Sequence, residues 1–268
     1  MTKVVIVGAG VAGVNAATKL VDNGFDGKIT IIDMGLDPYR RPTSDVMRGF
    51  LGAGGWSDGK LTYHTSIGGQ LSKYTGDEKA MELFDQVIAN FKRFHPNPSE
   101  VQCSNPQEEP DVDFKGGLVS YISPDQPITE GLIYDKLIFG VGKSGIDFAK
   151  QLSEDYELPT EPKPVQIGVR FEAPQHHFQK LIDIAYDFKL YRKFDAEGVS
   201  LRSFCTNNNA AYVAAEHTYG DISYNGHAKK DKKYENGMTN FGILMEIKNI
   251  DKPFDWAREA VKKMQVDG

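Results

Sequence analysis

Cysteine is nearly absent from this chain: Cys103 and Cys205 are the only two among 268 residues. Two thiols imply no disulfide framework, and a reducing compartment fits them. Neither a CxxC pair nor a Cys/His ligand cluster occurs, which argues against a structural zinc site. His176 and His177 are adjacent, so a helix or a strand would send their rings in different directions, and no metal pair is expected there. Long apolar runs are missing as well. Nothing approaches the roughly 20 residues of a membrane helix, and the apolar start at 4–7 is too short for a signal peptide before it meets glycines. There is also no surplus of basic charge. Lys and Arg number 31 against 37 Asp and Glu, a net charge of −6, which leaves no footprint for nucleic acid or an anionic membrane. The pairs Lys229-Lys230 and Lys232-Lys233 flank Asp231 and read as a solvated loop. The expectation is a cytoplasmic protein with neither nucleic acid nor membrane as partner.

What remains is ordinary globular material. Hydrophobic residues make up 40% and charged residues 25%, in a chain long enough for one large domain or two modest ones. The β-branched run Lys3–Val7 reads as a buried parallel strand. Residues 11–23 carry Val14, Ala17, Leu20 and Val21 on one side of a helix that Asn23-Gly24 ends. Residues 28–33 (KITIID) form a second strand, completing a βαβ unit. A glycine-, serine- and arginine-rich stretch follows over 38–76, without periodicity. Asp77 is expected to cap a helix running to Phe94, because Met81, Phe84, Val87, Ile88 and Phe91 recur at helical spacing. Residues 95–130 read as an exposed connection. A strand over 132–141, a helix over 145–152, a strand over 165–172 and a helix over 177–186 come next. Several short strands in 199–247 suggest an antiparallel sheet, and 254–264 forms a last amphipathic helix.

Gly8-Ala9-Gly10-Val11-Ala12-Gly13 is a GxGxxG run that follows a strand and opens a helix. Asp33 stands about 20 residues past Gly13, the interval at which a dinucleotide fingerprint places its acid. Each residue type has a physical task. Gly8 permits the tight turn, Gly10 leaves room for a pyrophosphate, and Gly13 lets the helix pack closely. The first N–H groups of the helix, from Val11 and Ala12 onward, face the phosphates with the positive end of the helix dipole. Asp33 is expected to accept hydrogen bonds from ribose hydroxyls and to repel a 2′-phosphate, favouring FAD or NAD over NADP.

A second glycine-rich stretch, RGFLGAGGWSDGKL, spans 48–61. Its glycines allow a backbone to wrap around a ligand, and Arg48 and Lys60 supply positive charge; a flexible surface loop is the plainer alternative. Gly140 to Gly145 repeats the GxGxxG pattern between a strand and a helix. It reads as a strand-end turn that closes the first domain and brings Gly142 to the cofactor, with a separate NAD site as the rival reading.

Taken together, residues 3–33, RGFLGAGGWSDGKL, IFGVGKSGID (138–147), IGVRFEAPQ (167–175), RSFC (202–205) and Asn225-Gly226 resemble the uncharacterised FAD-dependent dehydrogenases of the two-dinucleotide-binding-domain flavoproteins. The resemblance implies that Gly8, Gly10, Gly13 and Asp33 hold the ADP half of FAD. Arg48, Gly54, Ser57, Asp58 and Lys60 would then lie along the pyrophosphate, ribityl chain or flavin. The activity implied is hydride transfer between flavin and an unidentified small molecule, with NAD(H) as electron donor or acceptor. Four departures stand beside it. Thr206-Asn207-Asn208-Asn209 replaces a Cys and Pro-Gly-Gly, Lys143 replaces a histidine, the middle region is shorter, and the family's closing flavin-covering segment has no counterpart here. Three expectations remain open: a homo-oligomer or another partner completes the flavin site, catalysis has been lost from a nucleotide-binding relative, or the chain is a fragment.

Arg170 and Glu172, two apart on one strand, are expected to form an ion pair, with a substrate clamp as the alternative. Cys205 reads as a small hydrophobe, with a redox thiol as the alternative. The expected fold class is α/β: a Rossmann-like FAD-binding domain with a parallel sheet and flanking helices over 1–158, followed by a smaller α+β domain with an antiparallel sheet over 159–268.

Overall fold

The computed structural model describes residues 1–36, 40, 42, 48–52, 63, 65, 71–94, 132–194, 198–218, 221–229 and 231–266. The chain forms two compact units, the first running to Ile146 and the second covering Asp147–Gly268. The division falls ahead of the boundary expected between residues 158 and 159.

In the first unit, β1 (Lys3–Val7) leads into α1 (Val11–Asp22) and β2 (Lys28–Ile32). Two helices follow, α2 (Leu71–Thr75) and α3 (Asp77–Phe94), and then β3 (Lys136–Phe139). The three strands form a parallel sheet in the order β2-β1-β3. The central strand is apolar without alternation because both its faces are covered: Val4, Val5 and Ile6 are all buried. Helix α1 ends as its sequence implies, with Gly24 at φ 74° donating its N–H to Val21 O. Helix α3 has the expected bounds, but Asp77 lies within its first turn beside Glu78 rather than capping it, and Ala80 N–H donates to Gly76 O. Both acids sit at the positive end of the helix dipole. Polar contacts join α3 to α1: Asn90 Nδ2 donates to Asn15 Oδ1 at 2.9 Å, and Arg93 pairs with Asp22 at 2.8 Å.

The second unit begins within α4 (Ile146–Asp155), which follows a 3-10 turn at Lys143–Gly145. Next come β4 (Val165–Pro174), the short helix α5 (Gln179–Ile182), β5 (Tyr191–Phe194), β6 (Val199–Asn209), β7 (Ala211–Thr218), β8 (Asp221–Ala228), β9 (Met238–Ile247) and α6 (Pro253–Val266). Four strands make an antiparallel sheet in the order β4-β9-β6-β5, while β7 and β8 form a separate hairpin. The fold is therefore mixed α/β, with a three-stranded parallel sheet flanked by helices and a separate antiparallel sheet.

Two local expectations are corrected. The helix expected over 177–186 is a 3-10 turn at Gln175–Phe178 followed by the single-turn α5. The chain beyond it is claimed by β6: Tyr186 O accepts from Asn208 Nδ2, Asp187 Oδ1 from Thr206 N–H, and Phe188 O from Ser203 Oγ. These bonds hold 186–188 against the sheet and stop the helix. Nor do His176 and His177 diverge. Their exposed rings lie 4.0 Å apart between centroids, because side chains on a short exposed turn are free to swing together.

Phe171, Phe178 and Phe188 surround Phe241, with ring centroids 5.2–5.4 Å from it. Beside this apolar cluster runs a buried polar one, Ser203, Thr206, Asn207, Asn208, Thr239 and Asn240. It sits where the β6–β9 register shifts between Phe204 and Asn207, a bulge with Cys205 at φ 52°.

Candidate functional site

The glycine turn stands at the carboxyl edge of the parallel sheet. Gly8 N–H donates to Ile32 O at 2.7 Å and Gly140 N–H to Val7 O at 2.8 Å, so the ends of all three strands are stitched together there. Central β1 comes first in sequence, with β2 on one side and β3 on the other. The strand order thus reverses at the end of β1, the kind of place where open α/β sheets leave a ligand crevice.

Gly8 adopts φ +101°, and a Cβ there would strike the Gly140 carbonyl oxygen. A Cβ on Gly13 would strike the Gly8 carbonyl oxygen. Both positions are closed to any side chain by backbone. Gly10 differs: among the described residues, a Cβ there meets nothing within 4 Å. It is the N-cap of α1 at φ −68° and ψ −175°, and no side chain among the described residues caps the helix. The first N–H groups of a helix have no intrahelical acceptor. Those of Val11 and Ala12, a half-buried and an exposed residue, therefore begin a helix beside open space.

Asp33 closes the turn from the side. Its Oδ2 accepts from Ala9 N–H at 2.7 Å and its Oδ1 from Gly35 N–H at 2.8 Å. The start of the second glycine-rich stretch comes to the same place. Leu51 N–H donates to Ala9 O at 2.7 Å, forming a parallel bridge with Gly10. The backbone at Arg48-Gly49 lies so close to Gly35 that a Cβ there would be 2.6 Å from Gly49 Cα and 2.8 Å from the Arg48 carbonyl carbon. Gly142, at φ 55°, is exposed just past the end of β3, and exposed Lys143 follows it. Gly8, Gly10, Val11, Ala12, Gly13, Asp33, Arg48 and Gly142 all belong to this first unit. Gly54, Ser57, Asp58 and Lys60 lie outside the described residues.

Sequence reasoning missed three contributors: the Ala9 peptide, Gly35 and Leu51. Gly35 carried a usable signal, since an Asp two residues before a glycine readily accepts that residue's N–H in a turn. Leu51 carried none, because its part is played by a backbone amide.

The two remaining candidates belong to the second unit. Arg170 forms no ion pair with Glu172. Its Nη1 donates to Cys205 O at 3.0 Å and its Nη2 lies 3.5 Å from Cys205 Sγ, while its buried Nε finds no hydrogen-bond partner among the described residues. The bulge turns the Cys205 carbonyl toward the guanidinium, and Glu172 instead meets Asn240 Nδ2 at 3.5 Å. Cys205 is a half-buried free thiol. Among the described residues, no group of three or more His, Cys, Asp or Glu side chains is placed to hold a metal. Nor, among them, is any helix long and apolar enough to cross a membrane.

Comparison with protein-family models, with curated proteins and with solved structures finds no match to this chain.

Proposed function

We propose that the first unit is a Rossmann-like domain that binds FAD, and that the protein is an FAD-dependent oxidoreductase acting on a small molecule. The observation that carries this reading is the contrast within the glycine turn. Gly8 and Gly13 are packed against backbone, whereas among the described residues nothing packs on Gly10 and no side chain caps the helix it starts. That contrast suits a diphosphate: rigid support behind the turn, and a helix start with room beside Gly10 in front. The resemblance to FAD-dependent dehydrogenases adds the choice of flavin.

In this reading the amides of Gly10, Val11 and Ala12 donate to the diphosphate, while Gly8 and Gly13 hold the turn in shape. Asp33 disfavours a 2′-phosphate by its charge, and Arg48 adds positive charge nearby. Gly142 borders the cofactor from the end of β3. By the resemblance, Gly54, Ser57, Asp58 and Lys60 would join Arg48 along the pyrophosphate, ribityl chain or flavin. The flavin, when bound, accepts or delivers the hydride, so the chain itself needs no acid–base pair for that step. NAD(H) is the electron donor or acceptor to examine first.

The test is the visible spectrum of the purified full chain, followed by titration with FAD. Flavin bands in the isolated protein, or quenching of added FAD fluorescence, support the proposal. A colourless protein that leaves FAD fluorescence unchanged overturns it.

A further inference from the structure

We infer that Asp33 is a positioning residue: it orients the phosphate-facing amides by gripping its own backbone, and the site recognises a diphosphate group independently of the sugar attached to it. The ligand half of this inference rests on the diphosphate reading above; the positioning half stands on the hydrogen bonds alone.

Both carboxylate oxygens of Asp33 are engaged, Oδ2 by Ala9 N–H at 2.7 Å and Oδ1 by Gly35 N–H at 2.8 Å. Hydrogen bonds to a carboxylate are about twice as strong as neutral ones. Ala9 is also held from its other side, where its carbonyl accepts Leu51 N–H at 2.7 Å. The peptide joining Ala9 to Gly10 is planar and trans, so fixing the Ala9 carbonyl fixes the Gly10 N–H in the opposite direction. Buried Ala9 is thus clamped at both polar atoms, and the amide that follows is aimed by that clamp. A ribose hydroxyl arriving at Asp33 must share oxygens that the backbone already uses. A diphosphate arriving at Gly10 meets donors already aligned, which lowers the ordering cost of binding.

Two variants of the full chain separate this role from a direct sugar contact. Asp33→Asn sets an amide donor against one of the two N–H groups. Asp33→Glu displaces the carboxylate by about 1.5 Å, the length of one added carbon–carbon bond. Hydrogen exchange at the Ala9 amide and calorimetric binding of inorganic pyrophosphate and ADP are measured for each. The expected result is faster Ala9 exchange in both variants. Affinity for pyrophosphate and ADP falls by the same factor, about tenfold or more, as expected for losing a charge-assisted hydrogen bond. Pyrophosphate affinity left intact in Asp33→Asn while ADP affinity falls, with ADP binding restored in Asp33→Glu, overturns the inference in favour of a sugar ligand. Ala9 exchange unchanged in folded variants overturns the positioning role itself. A wild-type protein that binds neither probe overturns the diphosphate reading and sugar-independent recognition with it, while the exchange data still decide the positioning role.

Discussion

Asn207 donates its Nδ2 to Asn240 Oδ1 at 2.9 Å across β6 and β9, and neither residue has exposed surface. The same Nδ2 reaches Cys205 O at 3.1 Å, so one buried amide ties the bulge to the neighbouring strand. Gly226 of β8 sits directly over this point, where a Cβ would strike Asn240 Oδ1 and the Arg170 guanidinium. Asn240→Leu removes an acceptor from the interior and is expected to cost about 1–3 kcal/mol in urea denaturation. Adding Asn207→Leu should cost less than the sum of the single changes, because the first change already breaks the Asn207–Asn240 bond that the second would remove. Strict additivity would show that the two amides act independently.

The glycine turn gives a paired prediction. Gly10→Val places a side chain where no described residue stands, at a negative φ, so stability should change by less than about 1 kcal/mol, while the proposed flavin binding should be lost. Gly13→Ala drives a methyl group into the Gly8 carbonyl and should cost about 1–3 kcal/mol. Thermal unfolding together with the flavin spectrum separates the two effects. Flavin retained in Gly10→Val would refute the placement of the phosphate.

The aromatic cluster predicts where the second unit is most sensitive. Phe241 is 5% exposed and has three phenylalanine neighbours, so Phe241→Ala should cost about 3–5 kcal/mol. Val169, at 59% exposure, should tolerate alanine within about 0.5 kcal/mol. Chemical denaturation of both variants checks the contrast, and equal losses would refute the assignment of this core.

The turn at Asp231 predicts a local response to pH. Lys233 Nζ lies 2.7 Å from Asp231 Oδ2, and this contact, then the Lys233 amide, holds the Asp231 carboxyl below its ordinary 3.8. The same contact, with a smaller charge effect from Tyr234, holds Lys233 above 10.5. A lowered acid stabilises the fold above its unfolded value and loses that contribution as pH falls through its folded value. A raised base stabilises below its unfolded value and loses the contribution as pH rises through its folded one. The turn should therefore loosen below 3.8 and again above 10.5, and salt should weaken the pair because both side chains are exposed. Amide shifts of Lys233 and Tyr234 across the two ranges check this.

Much of the first unit could be read from sequence because its signals are local. The apolar stripe over 77–94 marks α3 at the bounds observed, and the run of β-branched residues, glycines and a helical period marks β1, the turn and α1. Gly8 and Asp33 lie within one βαβ unit, so their nearness follows from its geometry. Long-range pairing could not be read in this way. That residues 136–139 join β1 as its second neighbour, that Arg170 turns to Cys205 instead of Glu172, and that 186–188 desert a helix for β6 all depend on segments distant in sequence. Amino-acid pattern alone determined β1, α1, β2 and α3 and where the turn's glycines stand, since there backbone conformation is set by neighbours; it gave no sign of α2 or β5 and overextended the helix at 177–186. Tertiary structure decided which strands meet, at what register, and that Asp33 spends its carboxylate on Ala9 and Gly35, because a hydrogen bond's partner is chosen by what the folded chain brings within reach.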